Sequence, residues 1–207
     1  HVGAADVSGQ DTDPTGIAFS KSGEKMFIVG DNDNDVNEYS LTDAYCIGTA
    51  SFVDSFSVAT QEVNPQGIAF SKSGTKMFIV GNVGDDVNEY TLTGAYCIGS
   101  ASFVDSFSVA TQEPNPTGIA FSKSGTKMFI AGNGGDDINE YTLTTAWDIS
   151  SASFVDSFNV NSQDGNPRDI WFDSSGKTMF IVGDTGNDVN AYKLTTAWDV
   201  STASFTG

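Results

Sequence analysis

Pro116–Leu143 reads PTGIAFSKSGTKMFIAGNGGDDINEYTL, and the same pattern begins at Pro14, Pro65 and Pro167, so its four copies start 51 residues apart. Self-similarity at a fixed period of this size marks a repeat architecture. Inside one copy, PTGIAFS is a short apolar run and SKSG a tight turn in which glycine supplies the unusual backbone angle. KMFIAG is a second run, closed by the turn-rich NGGDD. DINEYTL follows, with Asn139, Tyr141 and Leu143 on one face. The copy ends with SASFVDSFNV, in which Phe154, Asp156, Phe158 and Val160 alternate with Val155, Ser157 and Asn159. Short runs of period-two character between Gly, Asn, Asp and Ser are strand signals. Each unit therefore reads as four antiparallel strands, a to d, in meander order. No stretch sustains a 3.6-residue period; the LTTAWD connection between c and d is the candidate for a helical turn.

Four-stranded sheets repeated at this spacing predict an all-β chain folded as a four-bladed β-propeller. The segment P-x-G-I-A-F-S-x-S-G-x-K-M-F-I-V-G followed by D-V-N-E-Y-x-L resembles the YVTN and NHL type of propeller repeat, over nearly the whole chain. The resemblance implies fold rather than activity, because such propellers include enzymes, binding platforms and surface-layer components. The unit here is longer than that family's and only four are present, so no active site is carried over. The units read as blade 1, 14–64; blade 2, 65–115; blade 3, 116–166; and blade 4, 167–207 plus 1–13, in one domain of 1–207.

The addition of residues 1–13 to blade 4 comes from alignment of HVGAADVSGQDTDP with FVDSFSVATQEVNP, which matches Val2 to Val53, Val7 to Val58, Gln10 to Gln61 and Asp11 to Glu62. The last unit stops at SFTG, where its d strand should begin, so the N-terminal strand is expected to complete the last blade. Closure of this kind removes exposed sheet edges. Phe205-Thr206-Gly207 duplicates the place of His1-Val2-Gly3, so one set is displaced or the strand is exchanged between molecules.

With 207 residues, of which 39% are hydrophobic and 12% aromatic, the chain can bury a sizeable core. No apolar run approaches the ~18 residues that would span a membrane, so no membrane insertion is expected. The chain opens on His1 without a leader, which fits either a removed leader, and hence an extracellular or cell or virion surface location, or an excised segment. A net charge of −18 argues against nucleic acid and suits cations or a basic partner. Cys46 and Cys97 lie one period apart, on adjacent blades that diverge outward, which predicts two free thiols.

Seven of the nine basic residues, Lys21, Lys25, Lys72, Lys76, Lys123, Lys127 and Lys177, fall in or beside the a-to-b turns. Seventeen of the 27 acidic residues fall in or just after the opposite loops, which predicts faces of opposite sign. Asp35, Asp86, Asp137 and Asp188 recur there with Asn37, Asn88, Asn139 and Asn190, oxygen ligands of the type Ca2+ takes. Tight hairpins also require Asn, Asp and Gly, so turn chemistry alone accounts for the same pattern. Asp31 and Asp33 open a run spaced like an EF-hand loop, but Val36 and Thr42 stand where that loop needs Gly and Glu.

Tyr45, Tyr96, Trp147 and Trp198 recur once per blade, as a set that would stack on glycans in a multivalent lectin or cap the blade. Blade 4 diverges most, with Arg168 and Asp169 where the others have Thr or Gln and then Gly, an asymmetric pair near the axis. Trp171 replaces Ala18, Ala69 and Ala120, and Ala5 takes the place of Phe56, Phe107 and Phe158, so Trp171 reads as filling lost core volume. One histidine, His1, leaves no material for a His-rich zinc site or a triad of ordinary placement. The expectation is a non-enzymatic, self-associating structural protein that polymerises into a filament through its termini or charged faces. The alternative is a lectin-like module for Ca2+ or glycans.

Overall fold

The computed structural model describes residues 3–207 and contains four sheets, each of four strands in sequence order. Blade 1 comprises β1 (Pro14–Phe19), β2 (Lys25–Gly30), β3 (Asp35–Ser40) and β4 (Ser51–Ser57). Blade 2 comprises β5 (Pro65–Phe70), β6 (Lys76–Gly81), β7 (Asp86–Thr91) and β8 (Ser102–Ser108). Blade 3 comprises β9 (Pro116–Phe121), β10 (Lys127–Gly132), β11 (Asp137–Leu143) and β12 (Ala152–Asn159). Blade 4 comprises β13 (Pro167–Phe172), β14 (Thr178–Gly183), β15 (Val189–Leu194) and β16 (Ala203–Phe205). This is a four-bladed β-propeller with antiparallel pairing, and helix among the described residues is confined to short 3-10 turns such as Ile149–Ser151. Those turns fall just after the LTTAWD connection, not within it as the sequence suggested.

The a-to-b hairpin shows why the sequence folds this way locally. In blade 3 the Gly125 N–H donates to Ser122 O at 2.8 Å and the Ser122 hydroxyl accepts from Lys127 N at 3.1 Å. Gly125 sits at φ +73°, in the left-handed region, with the Trp147 ring lying over it. Trp147 N then donates to Gly125 O at 2.9 Å, so one residue in each blade clasps the turn from above.

The chain forms two compact units, one of His1–Gly84 with Asn88–Asp105 and the other of Asp85–Val87 with Ser106–Gly207. In the first, Phe27, Val29, Val36 and Val58 pack against Ile68, Met77, Ile79, Tyr90 and Leu92 of blade 2. In the second, Phe129, Ala131, Ile138 and Val160 pack against Ile170, Met179, Ile181, Tyr192 and Leu194 of blade 4. Each such burial contributes about 1.5–3 kcal/mol, so these junctions hold each unit together.

Two expectations change. The d strands do not alternate throughout: a bulge pairs Glu140 with Asp156 but Tyr141 with Phe154, leaving Val155 as the extra residue. Phe154 therefore lies on the Tyr141 face, while Phe158 pairs with Ile138 and packs in the junction with blade 4. The second change concerns closure. The fourth strand of the last blade is β16, extended by bonds from Ala191 N to Gly207 O and from Thr206 N to Ala191 O. Gly3–Asp13 contains no strand, and His1 and Val2 lie outside the described residues. The C terminus wins this position because it follows its own neighbouring strand after one short turn, whereas the N-terminal segment must first be brought there.

The N-terminal segment packs instead on blade 1, with Ala5 and Val7 against Met26, Ile28, Tyr39 and Leu41. Tyr39 Oη donates to Gln10 Oε1 at 3.1 Å, as Tyr90 Oη does to Gln61 Oε1 at 3.4 Å. Residues 7–11 thus repeat what 58–62 do for blade 2.

Candidate functional site

The acidic loops are built for their own backbone. Glu113 is buried and accepts from Asn115 N at 2.9 Å, Gly134 N at 2.7 Å and Gly135 N at 3.3 Å. Asp164 does the same for Asn166 N at 2.7 Å, Thr185 N at 3.4 Å and Gly186 N at 3.2 Å. Desolvation holds the Glu113 carboxyl above its ordinary range despite these donors. Asn34, Asp85, Asp136 and Asn187 take the left-handed conformation that Asn and Asp tolerate in tight turns. Beside them Asp137 and Asp188 each accept from the side chain of Asn139 and Asn190 at 2.8 Å. Desolvation raises Asp137.

Asn37, Asn88, Asn139 and Asn190 are all buried, and Asp35 and Asp86 head β3 and β7 at the equivalent positions. Among the described residues, no three His, Cys, Asp or Glu side chains gather as metal ligands. Asp31 lies close to Asp13 and Asp11, and its carboxyl is raised by burial first and by those two charges next. Asp11 is buried, with its Oδ1 accepting from Asp13 N at 2.7 Å and its Oδ2 unbonded, whereas Glu113 and Asp164 also reach N–H groups of the loop opposite.

The two-faced charge distribution is weaker than the sequence suggests. Lys25, Lys76 and Lys127 turn inward and pair with buried Glu38, Glu89 and Glu140 at 2.7, 2.6 and 2.5 Å. Lys127 Nζ also donates to Trp198 O at 2.6 Å, and Glu140 Oε2 accepts from Val200 N at 3.0 Å, so the pair grips the next blade. The repeat pattern could have signalled this, since Lys and Glu recur together and blade 4 lacks both, having Thr178 and Ala191.

Tyr45, Tyr96, Trp147 and Trp198 use one ring face to cover their glycine turns. Trp198 also stacks on Phe129 of the preceding blade and Tyr96 on Phe27, at 6.2 Å in each case. Tyr45 is the exposed member of the set. Both Cys46 and Cys97 are free.

Arg168 and Asp169 do not pair. The Arg168 guanidinium forks onto Asp184 Oδ2 at 3.1 and 2.8 Å, both side chains being exposed. Asp169 opens instead into a depression of about 130 Å³ lined by Ile170, Trp171, Phe180, Val182 and Val189. Part of its side chain reaches solvent, yet the protein around the carboxyl desolvates it and pushes it up to about 6, against one bond from Ile170 N at 2.8 Å. Trp171 fills no core: it is 61% exposed and leans on Phe180 at 5.7 Å.

This face is the one the sequence did not reveal. Val189 is 61% exposed, whereas its equivalents Val36, Val87 and Ile138 are fully buried. Blade 1 shows the converse, with Ile17 50% exposed and Ile68, Ile119 and Ile170 at 7%, 5% and 4%.

No protein-family model and no curated protein matches the chain. Solved structures do. A protein from Lactobacillus plantarum aligns with a TM-score of 0.64 at 14% identity, over 100% of this chain and 57% of that one. The Pseudomonas aeruginosa periplasmic gluconolactonase PpgL aligns at 0.57 and 15%, over 92% and 51%. The Cps50 (Swd1) β-propeller domain of Myceliophteria thermophila aligns at 0.55 and 13%, over 88% and 54%. What they share with this chain is the propeller fold. The chain spans a little over half the length of these neighbours, and at such identity no residue role transfers.

Proposed function

We propose that the chain is a non-enzymatic structural module that associates with copies of itself, outside the cell or on a cell or virion surface. The observation that supports this reading is the apolar surface left open on blades 1 and 4, at positions whose equivalents are buried in blade junctions. Contiguous exposed apolar patches mark interaction surfaces. The repeated polar groups point the same way, since the lysines, glutamates and loop acids are engaged in holding the blades. The gluconolactonase named among the fold neighbours is similar in fold alone, and nothing of its chemistry is assigned to this chain.

Light scattering over a wide concentration range tests the reading. The weight-average mass should rise above 21.8 kDa as concentration increases. Because apolar burial drives the contact, added salt should not reverse the rise. A constant mass of 21.8 kDa at every concentration would overturn it.

A further inference from the structure

Each blade brings two side chains together where its a strand begins and its b strand ends. The N–H groups of Asp31, Asn82, Asn133 and Asp184 donate to the carbonyls of Asp13, Asn64, Asn115 and Asn166 at 3.3, 3.4, 3.3 and 3.2 Å, which makes one equivalent pair per blade. Blade 3 fills its pair with amides, and Asn115 Nδ2 donates to Asn133 Oδ1. Blade 2 also has two amides, with Gln66 Nε2 donating to Asn64 Oδ1. Blade 4 has one carboxylate, Asp184, and places Arg168 on it at 2.8 Å.

Blade 1 has a carboxylate on both sides, Asp13 and Asp31. The two stand close enough to hydrogen-bond when one carries a proton, and Asp11 adds a third charge near them. Like charges at such distances oppose one another's ionisation. The place of Arg168 is taken in this blade by Thr15, whose hydroxyl is engaged by Val29 O and Pro65 O at 3.2 and 2.8 Å. Among the described residues, no ion pair involves Asp11, Asp13 or Asp31.

A second observation points to the same place. Asp11 is 1% exposed and its Oδ1 accepts from Asp13 N, yet its Oδ2 has no partner. That oxygen lies against Gly30, the residue before Asp31, so it faces the stretch that carries the pair. A buried carboxylate oxygen left unbonded is costly unless something else satisfies it.

We propose that Asp13 and Asp31 hold one hard divalent cation of the Ca2+ type between their carboxylates, with the free oxygen of Asp11 as the buried charge behind it. Such cations take oxygen ligands. Among the described residues the acids do not close on one point as a ready-made metal centre does, so water completes the shell. The affinity belongs in the weak range of calcium sites, with a Kd of ~0.1–1 mM. The cation does in blade 1 what Arg168 does in blade 4. The arrangement also differs from the Asp31 and Asp33 spacing of an EF-hand, because Asp31 is met by Asp13 from the segment before β1.

Calcium chloride added to the EDTA-treated chain tests this, read by calorimetry and by melting temperature. Sodium chloride at equal ionic strength controls for screening of the −18 charge. One Ca2+ should bind per chain. At calcium about ten times Kd the ratio of folded to unfolded chain should rise about tenfold, a melting shift of about 3–6 °C. Asp31→Asn, which restores the residue of blades 2 and 3, should abolish the response and melt in EDTA no lower than the parent; Asp13→Asn should do the same. Asp184→Asn, at the equivalent place in blade 4, should leave the response intact. No shift beyond that of sodium, a response that survives both blade 1 substitutions, or one lost in Asp184→Asn would overturn the proposal. The measurements are made at a concentration where the mass is 21.8 kDa, so their outcome is separate from that of light scattering.

Discussion

Asp169 and Lys127 show how one repeat position acquires different chemistry in different blades. Where two glycines allow close approach in unit interiors, Asp169 places a carboxyl beside Trp171 and Ile170. Its pKa rises from the usual 3.8 to about 6, so between about pH 4 and pH 6 the folded chain holds a proton there that the unfolded chain has released. The stability contributed by this group is therefore present below pH ~4 and lost as pH rises through about 6. Asp169→Asn should make the chain more stable than the parent at pH 7, with the difference vanishing below pH ~4, as thermal unfolding at a series of pH values would read. Lys127 illustrates the opposite case, a charge that compensates another. Lys127→Met leaves Glu140 buried without its cation, which should cost about 3 kcal/mol, or about 6–12 °C of melting temperature in a chain of this size. Lys127→Thr with Glu140→Ala, the pair blade 4 carries, should recover most of that loss because no unpaired charge remains.

Among elements, the hairpins carry the repeat. Each a-to-b turn is a glycine in the left-handed region under an aromatic ring that is itself left-handed: Trp147 at φ 62° over Gly125 at +73°. A Cβ on Gly125 would fall 2.2 Å from the ring, so Gly125→Ala must both strain the backbone and displace Trp147. It should destabilise by about 1–3 kcal/mol, with red-shifted tryptophan emission as the check that the ring has moved. The glycan-stacking expectation for this set meets the same geometry, since one face of each ring is already used. The d strands teach a different lesson. Their alternation is legible in SASFVDSFNV, but the bulge at Val155 is not, because an extra residue is specified by pairing with β11 rather than by the strand's own pattern.

At the scale of the whole molecule the four sheets are equivalent in strand order, while positions equivalent to Ile138 differ in exposure: Val36 and Val87 are buried and Val189 is exposed. The core residues of the two units are supplied by the repeat, so the apolar faces of blades 1 and 4 are made of the same residue types as the junctions. The exposed Ile17, Trp171 and Val189 are the surface on which the proposed association rests. That is why the concentration dependence of mass, rather than any assay of chemistry, is the measurement that bears most directly on this chain. A net charge of −18 opposes the approach of copies at long range, which the proposed association would have to overcome.

The sequence by itself determined the period, the number of blades, four antiparallel strands in each, the turn chemistry and the free cysteines, because local turn residues and alternation encode them within one 51-residue unit. Tertiary structure alone decided that Lys25, Lys76 and Lys127 face buried glutamates, that Arg168 pairs with Asp184 rather than Asp169, and that β16 takes the last strand position. Those outcomes depend on what lies across from a residue in space, and identical repeats give the chain no local means of stating which copy a neighbour will be.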